Sequence, residues 1–382
     1  MRAAAAVFLC CACAARYRVA PPTPDELELH RGALVVDAHS DVTEAIRYEQ
    51  YDLGVGHADH HEDVPRMMQG GLKGQFFSIF VQPGRFRSEQ FFDEAQTQIE
   101  ALRKAVAARP GELALARTAQ DVRDNAKRAR ISVLFGVEGA HMLLPGTEEE
   151  QLDHLRVFAY QGVRYLTLTW ANTNPVGGSS GDEGETQGLT DFGHRLIAEM
   201  ERVGIVVDLA HVSDPLFWDA IRVAHKPIVV SHSSARALAN HPRNLTDAQL
   251  KAVARNGGAA CVNFSRGFLD DDFRKAAVPV ANQTKNLRTS DRRKAFEAAG
   301  LPDVPVSRLI DHIEHMVRVA GADHVCLGSD FDGVPMVPNG LEDVSKLPII
   351  TGGLLRRGMS RPDVEKVLGL NLLRVLEANE RR

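Results

Sequence analysis

The chain has 382 residues, 44% of them hydrophobic and 25% charged, with a formal net charge of −5. This is an ordinary soluble globular composition with ample core, enough for one barrel of roughly 250 residues plus loop insertions. The mildly acidic balance and the lack of a basic stripe exclude nucleic acid as the main partner.

Met1 to Ala15 carries one early Arg, an apolar stretch and small residues at its end. That is a short secretory signal pattern, too brief to span a bilayer. The expectation is a secreted, periplasmic or envelope protein, or a cytoplasmic one if the leader is not a signal. Cys10, Cys11 and Cys13 leave membrane association to a lipid anchor only, and Leu-Cys-Cys-Ala-Cys is a poor lipobox. Residues 16–30 read as a linker, with three prolines between Tyr17 and Pro24, and residues 31–382 as one folded domain. Cys261 and Cys326 lie in apolar strand runs and read as buried free thiols.

Strand-like runs recur along that domain: Ala33–Asp37, Gln75–Val81, Ile131–Val137, Val163–Thr169, Ile205–Leu209, Pro227–Ser231, Ala259–Phe264 and His324–Gly328. Helical patterns lie between them, at Glu62–Gln69, Ser88–Ala108, Glu148–Tyr160, Asp191–Val203, Asp214–Val223, Asp247–Arg255 and Val306–Val319, and Arg361–Ala378 follows. Ser213 and Thr246 are cap signals at two of their starts. Strands apolar on both faces are the parallel, covered kind. The unbroken alternation predicts an α/β fold, a single (β/α)8 TIM barrel. Three long segments, 172–188, 265–305 and 333–348, follow strands and are predicted to be βα loops that shape a pocket.

Where these strands run out, residues with ligand chemistry gather. His39 and Asp41 close the first run, Glu138 the third, His211 the fifth, His232 the sixth and Asp330 the last. Strand C-termini of a parallel α/β protein converge on one face, where active sites are built. His39 and Asp41, two apart on a strand, point the same way and can share an ion. Three imidazoles and two carboxylates suit zinc and exceed one tetrahedral site, so the pattern points to a two-metal hydrolase. Asp208 lies an odd three residues before His211 and reads as a structural partner.

Other motifs carry less. Gly177-Gly-Ser-Ser-Gly181 matches G-x-S-x-G, but no helix follows, as a nucleophile elbow at Ser179 requires. His57, His60 and His61 read as a solvated loop, and His312 and His315 as a surface helix face. Arg123, Lys127, Arg128 and Arg130, and likewise Arg288, Arg292, Arg293 and Lys294, read as solvated helix faces.

From about Leu34 to Leu376 the chain resembles the membrane (renal) dipeptidase family of binuclear zinc barrels. The resemblance is carried by Asp37-Ala-His-Ser-Asp41, Gly70-Gly-Leu-Lys-Gly-Gln-Phe-Phe77, Gly136-Val-Glu-Gly-Ala-His141 and Val163-Arg-Tyr-Leu-Thr-Leu-Thr169. Leu189-Thr-Asp-Phe-Gly193, Val207-Asp-Leu-Ala-His-Val-Ser213, Ser231-His-Ser-Ser-Ala-Arg236 and Gly328-Ser-Asp-Phe-Asp-Gly333 extend it, and Gly340-Leu-Glu-Asp-Val344 and Asn371-Leu-Leu-Arg-Val375 complete it. It implies two zinc ions, His39 and Asp41 on one, His211 and His232 on the other, with Glu138 bridging. It further implies a metal-bridging hydroxide as nucleophile, Asp330 as proton shuttle, and Arg243 gripping the substrate's carboxylate or polar end. One position departs: the family His after Leu-Thr-Leu-Thr is Trp170 here, which shifts carbonyl recognition toward the zinc ions or Asn172. The expectation is a zinc dipeptidase, including for C-terminal D-residues, whose partners are small peptides and a second copy in a homodimer. A sibling amidohydrolase of N-acyl amino acids and a non-catalytic peptide-binding barrel are the alternatives.

Overall fold

The computed structural model describes residues 20–182, 184, 187–285 and 287–381. Nine parallel strands form one sheet: β1 (Val35–Ser40), β2 (Leu72–Ile79), β3 (Leu113–Leu115), β4 (Ile131–Glu138), β5 (Val163–Thr167), β6 (Val206–Asp208), β7 (Val229–Ser233), β8 (Ala259–Val262) and β9 (Val325–Leu327). β1 pairs with both β2 and β9, and β2 pairs with β4 from Gly74↔Ser132 to Ile79↔Val137, so eight strands close on themselves as the expected (β/α)8 barrel. β3, unforeseen, pairs only with Ile131 to Val133 of β4, below the stretch from Phe135 to Glu138 that meets β5. It extends the sheet without entering the closure.

Alternation along the strands divides the apolar residues into two sets. Val35, Phe77, Val133, Phe135 and Val230 belong to the cluster shared with the surrounding helices. Val36, Phe76, Leu134, Tyr165, Val229 and Cys261 form the second, which fills the barrel together with Leu372 and Leu376 of the helix Asn371–Asn379 at its N-terminal end. Barrel helices start where capping chemistry allows. Ser213 accepts the Leu216 amide, and Thr246 and Gln249 form a reciprocal capping box.

Several sequence expectations change. The leader Met1 to Ala15 lies outside the described residues. The segment read as the end of a linker is instead a helix, Pro24–Gly32, capped by Thr23 and tied to the body by a Glu26–Arg356 ion pair at 2.6 Å. Cys261 and Cys326 are joined in a disulfide rather than free, because β8 and β9 are neighbours whose register pairs these two positions. His60 and His61 are buried rather than solvated, and His312 and His315 face inward rather than outward. Hydrogen bonds to distant parts of the chain hold these rings: His60 and His61 meet Asp332, His312 the Ala235 amide and His315 Asp247 at the start of the helix Asp247–Asn256.

Candidate metal centre

The strand ends bring the sequence-predicted ligands together at the C-terminal mouth of the barrel. His39, Asp41 and Glu138 form one group whose ligand atoms all lie within 4.8 Å of one another. Glu138, His211 and His232 form a second such group, and His39, His232 and Asp330 a third. Glu138 is the carboxylate that shares one group with His39 and Asp41 and another with His211 and His232. His39 Nε2 is 3.6 Å from Asp41 Oδ2 and 3.6 Å from Glu138 Oε2. On the other side, Glu138 Oε1 is 2.8 Å from His211 Nε2 and 3.5 Å from His232 Nε2.

These residues fit a metal on their own geometry. His39 Nε2 and Asp41 Oδ1 are buried with no hydrogen-bond partner among the described residues. A buried polar atom left without a partner is costly, so such a pair aimed at one space calls for a ligand there. Separations of 3.6 Å are long for hydrogen bonds but match two donors about 2.0–2.2 Å from a shared ion.

Around the ligands stands a layer the sequence did not announce. Tyr165, on β5, meets His39 Nδ1 with its hydroxyl at 2.8 Å. Its ring lies against Gly136, where an added Cβ would fall 2.0 Å from the ring. His232 Nδ1 is 2.8 Å from Ser231 Oγ, which in turn donates to Asp208 Oδ2 at 2.6 Å. This chain leaves the proton of neutral His232 on Nδ1 and the Nε2 lone pair facing the centre. Asp208 also accepts from Thr167 Oγ1 at 2.6 Å, so the structural role read from its spacing holds. Asn263 donates to Asp330 Oδ2 at 2.8 Å, which leaves Oδ1 toward the site. Gly333 passes so close that a Cβ there would fall 2.0 Å from Asp41 Oδ2. The signal for Gly333 and Gly136 was in the glycines themselves, at the end of one strand-end motif and the start of another.

Charge follows from burial and crowding. Burial, then the neighbouring Asp41, push the Asp330 carboxyl up to about 8, against the pull of His39 and Arg243. Burial, followed by Arg243, depresses His211 to about 3, so its imidazole is neutral and available as a ligand. Burial disfavours charge on His39 as well, but Tyr165, Glu138 and Asp41 together raise it well above the ordinary value. The centre therefore draws positive charge to itself.

The mouth opens into a cavity of about 1060 Å³ lined by Asp41, Glu138, Trp170, His211, Arg243 and Asp330, among others. Arg243 is anchored by a 3.3 Å bond from Nη2 to the His232 carbonyl and stacks over Phe268 at 5.2 Å, with its Nε unpartnered. Trp170 packs on Phe80 with ring centroids 4.7 Å apart and lies 6.4 Å from the His211 ring. Asn172 is not brought to the cavity wall; its amide nitrogen donates to the adjacent Thr173 carbonyl at 3.3 Å. Ser179 is buried and donates to the His211 and Trp170 carbonyls, so it is no nucleophile.

Residues 25–382 match the family described as membrane dipeptidase, peptidase family M19. The chain belongs to the membrane dipeptidase family. An uncharacterised dipeptidase of Schizosaccharomyces pombe is 35% identical over 92% of this chain and 82% of its own. Dipeptidase tcpJ of Claviceps purpurea is 33% identical over 84% of this chain and 69% of its own. Among solved structures, a metallopeptidase of Rhodobacter sphaeroides bound to a phosphinate mimic of the dipeptide L-Ala-D-Ala is similar, with a TM-score of 0.76 and 28% identity over 91% of this chain and 99% of its own length, as is a dipeptidase of this same family at 0.77 and 28% over 91% of this chain and 98% of its own. The chain is thus an enzyme, a metallodipeptidase, and the clusters at its strand ends are groups that could hold a metal ion.

Proposed function

We propose that this chain is a zinc dipeptidase that hydrolyses the single amide of a dipeptide, with C-terminal D-residues among its substrates. The observation that carries the reading is the convergence of His39, Asp41, Glu138, His211 and His232, with buried ligand atoms left unpartnered, beside the protonatable carboxyl of Asp330. The donor set of three imidazoles and two carboxylates favours zinc. His39 and Asp41 would hold one ion, His211 and His232 the other, and Glu138 both. When bound, such a pair would acidify a water and polarise the amide carbonyl that it attacks.

The chain's own groups do the rest. Asp330 Oδ1 takes the proton from the attacking water and returns it to the leaving amine, while Asn263 holds Oδ2 and fixes the carboxylate's orientation. Arg243 receives the substrate's carboxylate with its planar fork of donors. Trp170, at the position of the family His, narrows the pocket with an indole that can donate one hydrogen bond but carries no charge. The inclusion of C-terminal D-residues is supported by the L-Ala-D-Ala mimic bound to the Rhodobacter sphaeroides relative. Export to an oxidising compartment is supported by the Cys261–Cys326 disulfide and the leader's composition.

A sibling reading, hydrolysis of N-acyl amino acids, draws on the similarity to an amidohydrolase of Pseudomonas aeruginosa, with a TM-score of 0.71 and 25% identity over 93% of this chain and 98% of its own length. One assay separates them: amino-acid release from a panel of L,L- and L,D-dipeptides and N-acyl amino acids, with and without chelator. Dipeptides are expected to be cleaved, chelation to abolish turnover, zinc to restore it, and a serine-directed acylating agent to change nothing. Preferential cleavage of N-acyl amino acids, or turnover indifferent to chelator, overturns the proposal.

A further inference from the structure

We infer that Arg292 forms a second anion-binding subsite in the cavity, which selects peptides that carry a carboxylate beyond the C-terminal one. The inference rests on the dipeptidase reading and adds a substrate class to it. Arg292 stands on the helix Thr289–Ala298, in the long insertion after β8, and lines the same cavity as the metal ligands. Its guanidinium makes no hydrogen bond and no ion pair among the described residues, and its Nε is buried.

The rest of that helix offers a contrast. Arg293 Nε donates to Glu297 at 3.1 Å, and Lys294 stands 3.6 Å from Asp291. Both pair with carboxylates of their own helix, although Arg293 also keeps Nη1 buried and unpartnered among the described residues, and neither lines the cavity. Among the described residues Arg292 has no such partner, and Arg288, one turn earlier, exposed and also on the cavity wall, has none either. The run of four basic residues therefore divides into a paired half and an unpaired half, and the unpaired half faces the cavity.

The other carboxylates on the wall are engaged or weakened as counter-charges. Asp41, Glu138 and Asp330 converge on the candidate metal centre, Asp332 is held by His60 and the His61 amide, and Glu49 stands 3.6 Å from His60. Burial, then the neighbouring Asp41, push the Glu44 carboxyl up to about 7. A guanidinium partly withdrawn from water with no counter-charge is unfavourable, and an incoming carboxylate removes that cost. The space is there as well. At about 1060 Å³ the cavity reaches the upper end of the roughly 300–1,000 Å³ typical of small-ligand sites, more than a dipeptide of small residues fills. Arg243 is assigned to the main-chain carboxylate, Arg274 on the same wall pairs with Asp271 at 3.0 Å, and Arg85, Lys285 and Arg288 are exposed, so the half-buried Arg292 suits a side-chain carboxylate of Asp or Glu, or an acidic substituent on a longer side chain.

The test compares peptides that differ only in that charge. Zinc-loaded wild type and Arg292→Gln, Arg292→Lys and Arg293→Gln variants are assayed on dipeptides with Glu or Gln at either position. Binding of the matching reduced-amide analogues, which cannot be hydrolysed, is measured by calorimetry at low and high salt. For wild type we expect a preference for Glu over Gln of about 10–100-fold, the worth of one charge-assisted hydrogen bond, mainly in KM and weakened by salt. Arg292→Gln should bring that ratio close to one, Arg292→Lys should restore part of it, and Arg293→Gln should leave it in place. Wild type with no preference, or Arg292→Gln with the preference intact, overturns the inference while dipeptide cleavage still stands. If no dipeptide is cleaved but the Glu analogue binds in an Arg292-dependent way, the catalytic reading fails and the subsite survives. Thermal melting of Arg292→Gln should match or exceed wild type, since the variant removes an uncompensated charge.

Discussion

His211 and Asp330 both take left-handed backbone conformations, with φ of 67° and 61°. Non-glycine residues pay of order 1–3 kcal/mol for this and keep it where the surrounding structure imposes it, most often at functional sites. Asn tolerates the same region, which allows variants that remove chemistry and spare the backbone. Asp330→Asn should therefore keep metal content near wild type while kcat falls roughly 10²–10⁴-fold, the range for a positioned proton-transfer group. His211→Asn should instead lose metal, read by elemental analysis of the purified protein. An Asp330→Asn enzyme that turns over dipeptides at close to the wild-type rate would remove Asp330 from the proton path.

At the scale of elements, β8 and β9 are tied covalently through Cys261 and Cys326, across a sequence separation of 65 residues. That span includes the whole insertion carrying Arg292. Closing a loop of this length restricts the unfolded chain by roughly 4 kcal/mol on the chain-entropy account. Titration of unfolded protein without reductant should find neither of these two sulfurs free. A Cys261→Ser, Cys326→Ser double variant should melt several degrees lower but retain its metal. The pairing was hidden in the sequence because strand runs show that both cysteines are interior and say nothing of which strands adjoin or in what register. The same limit explains the other surprises. The convergence of the strand-end histidines and carboxylates was legible because β-alternation and the polarity of a parallel barrel place them without knowledge of partners. Tyr165 on His39, Asn263 on Asp330 and Ser231 between His232 and Asp208 depend on contacts between separate elements, so no local pattern reveals them. Helix periodicity likewise gave the helices, and could not tell that His312 turns inward or that Arg292 turns toward a cavity.

For the molecule as a whole, buried neutral histidines set the response to acid. Burial depresses His61 and His312 to about 4 each. Each accepts a backbone N–H at Nδ1, from Asp332 at 2.9 Å and Ala235 at 3.1 Å, a bond that protonation destroys. Their folded-state values lie below the ordinary 6.5, so the unfolded chain binds protons first. The stability they contribute is complete above about pH 6.5 and is lost as pH falls toward 4, roughly 3 kcal/mol for each. Urea midpoints should fall steeply between pH 6.5 and 4.5. A His312→Gln variant should be weaker at neutral pH but show a shallower decline, and an unchanged slope would discount that residue.

Barrel closure has a further consequence for how the protein is made. Asp37, on the first strand, accepts the Ser329 amide across a separation of 292 residues. At about 5–20 residues per second, the ribosome takes some 15–60 s to travel that distance. Through that interval β1 has been synthesised and its second neighbour has not, and His39 and Asp41 wait at the end of a half-paired strand for ligands still to be translated. Metal captured then would be held by two side chains and readily lost, so the completed centre is an event of the finished chain, and metal retention marks the molecules whose barrel has closed.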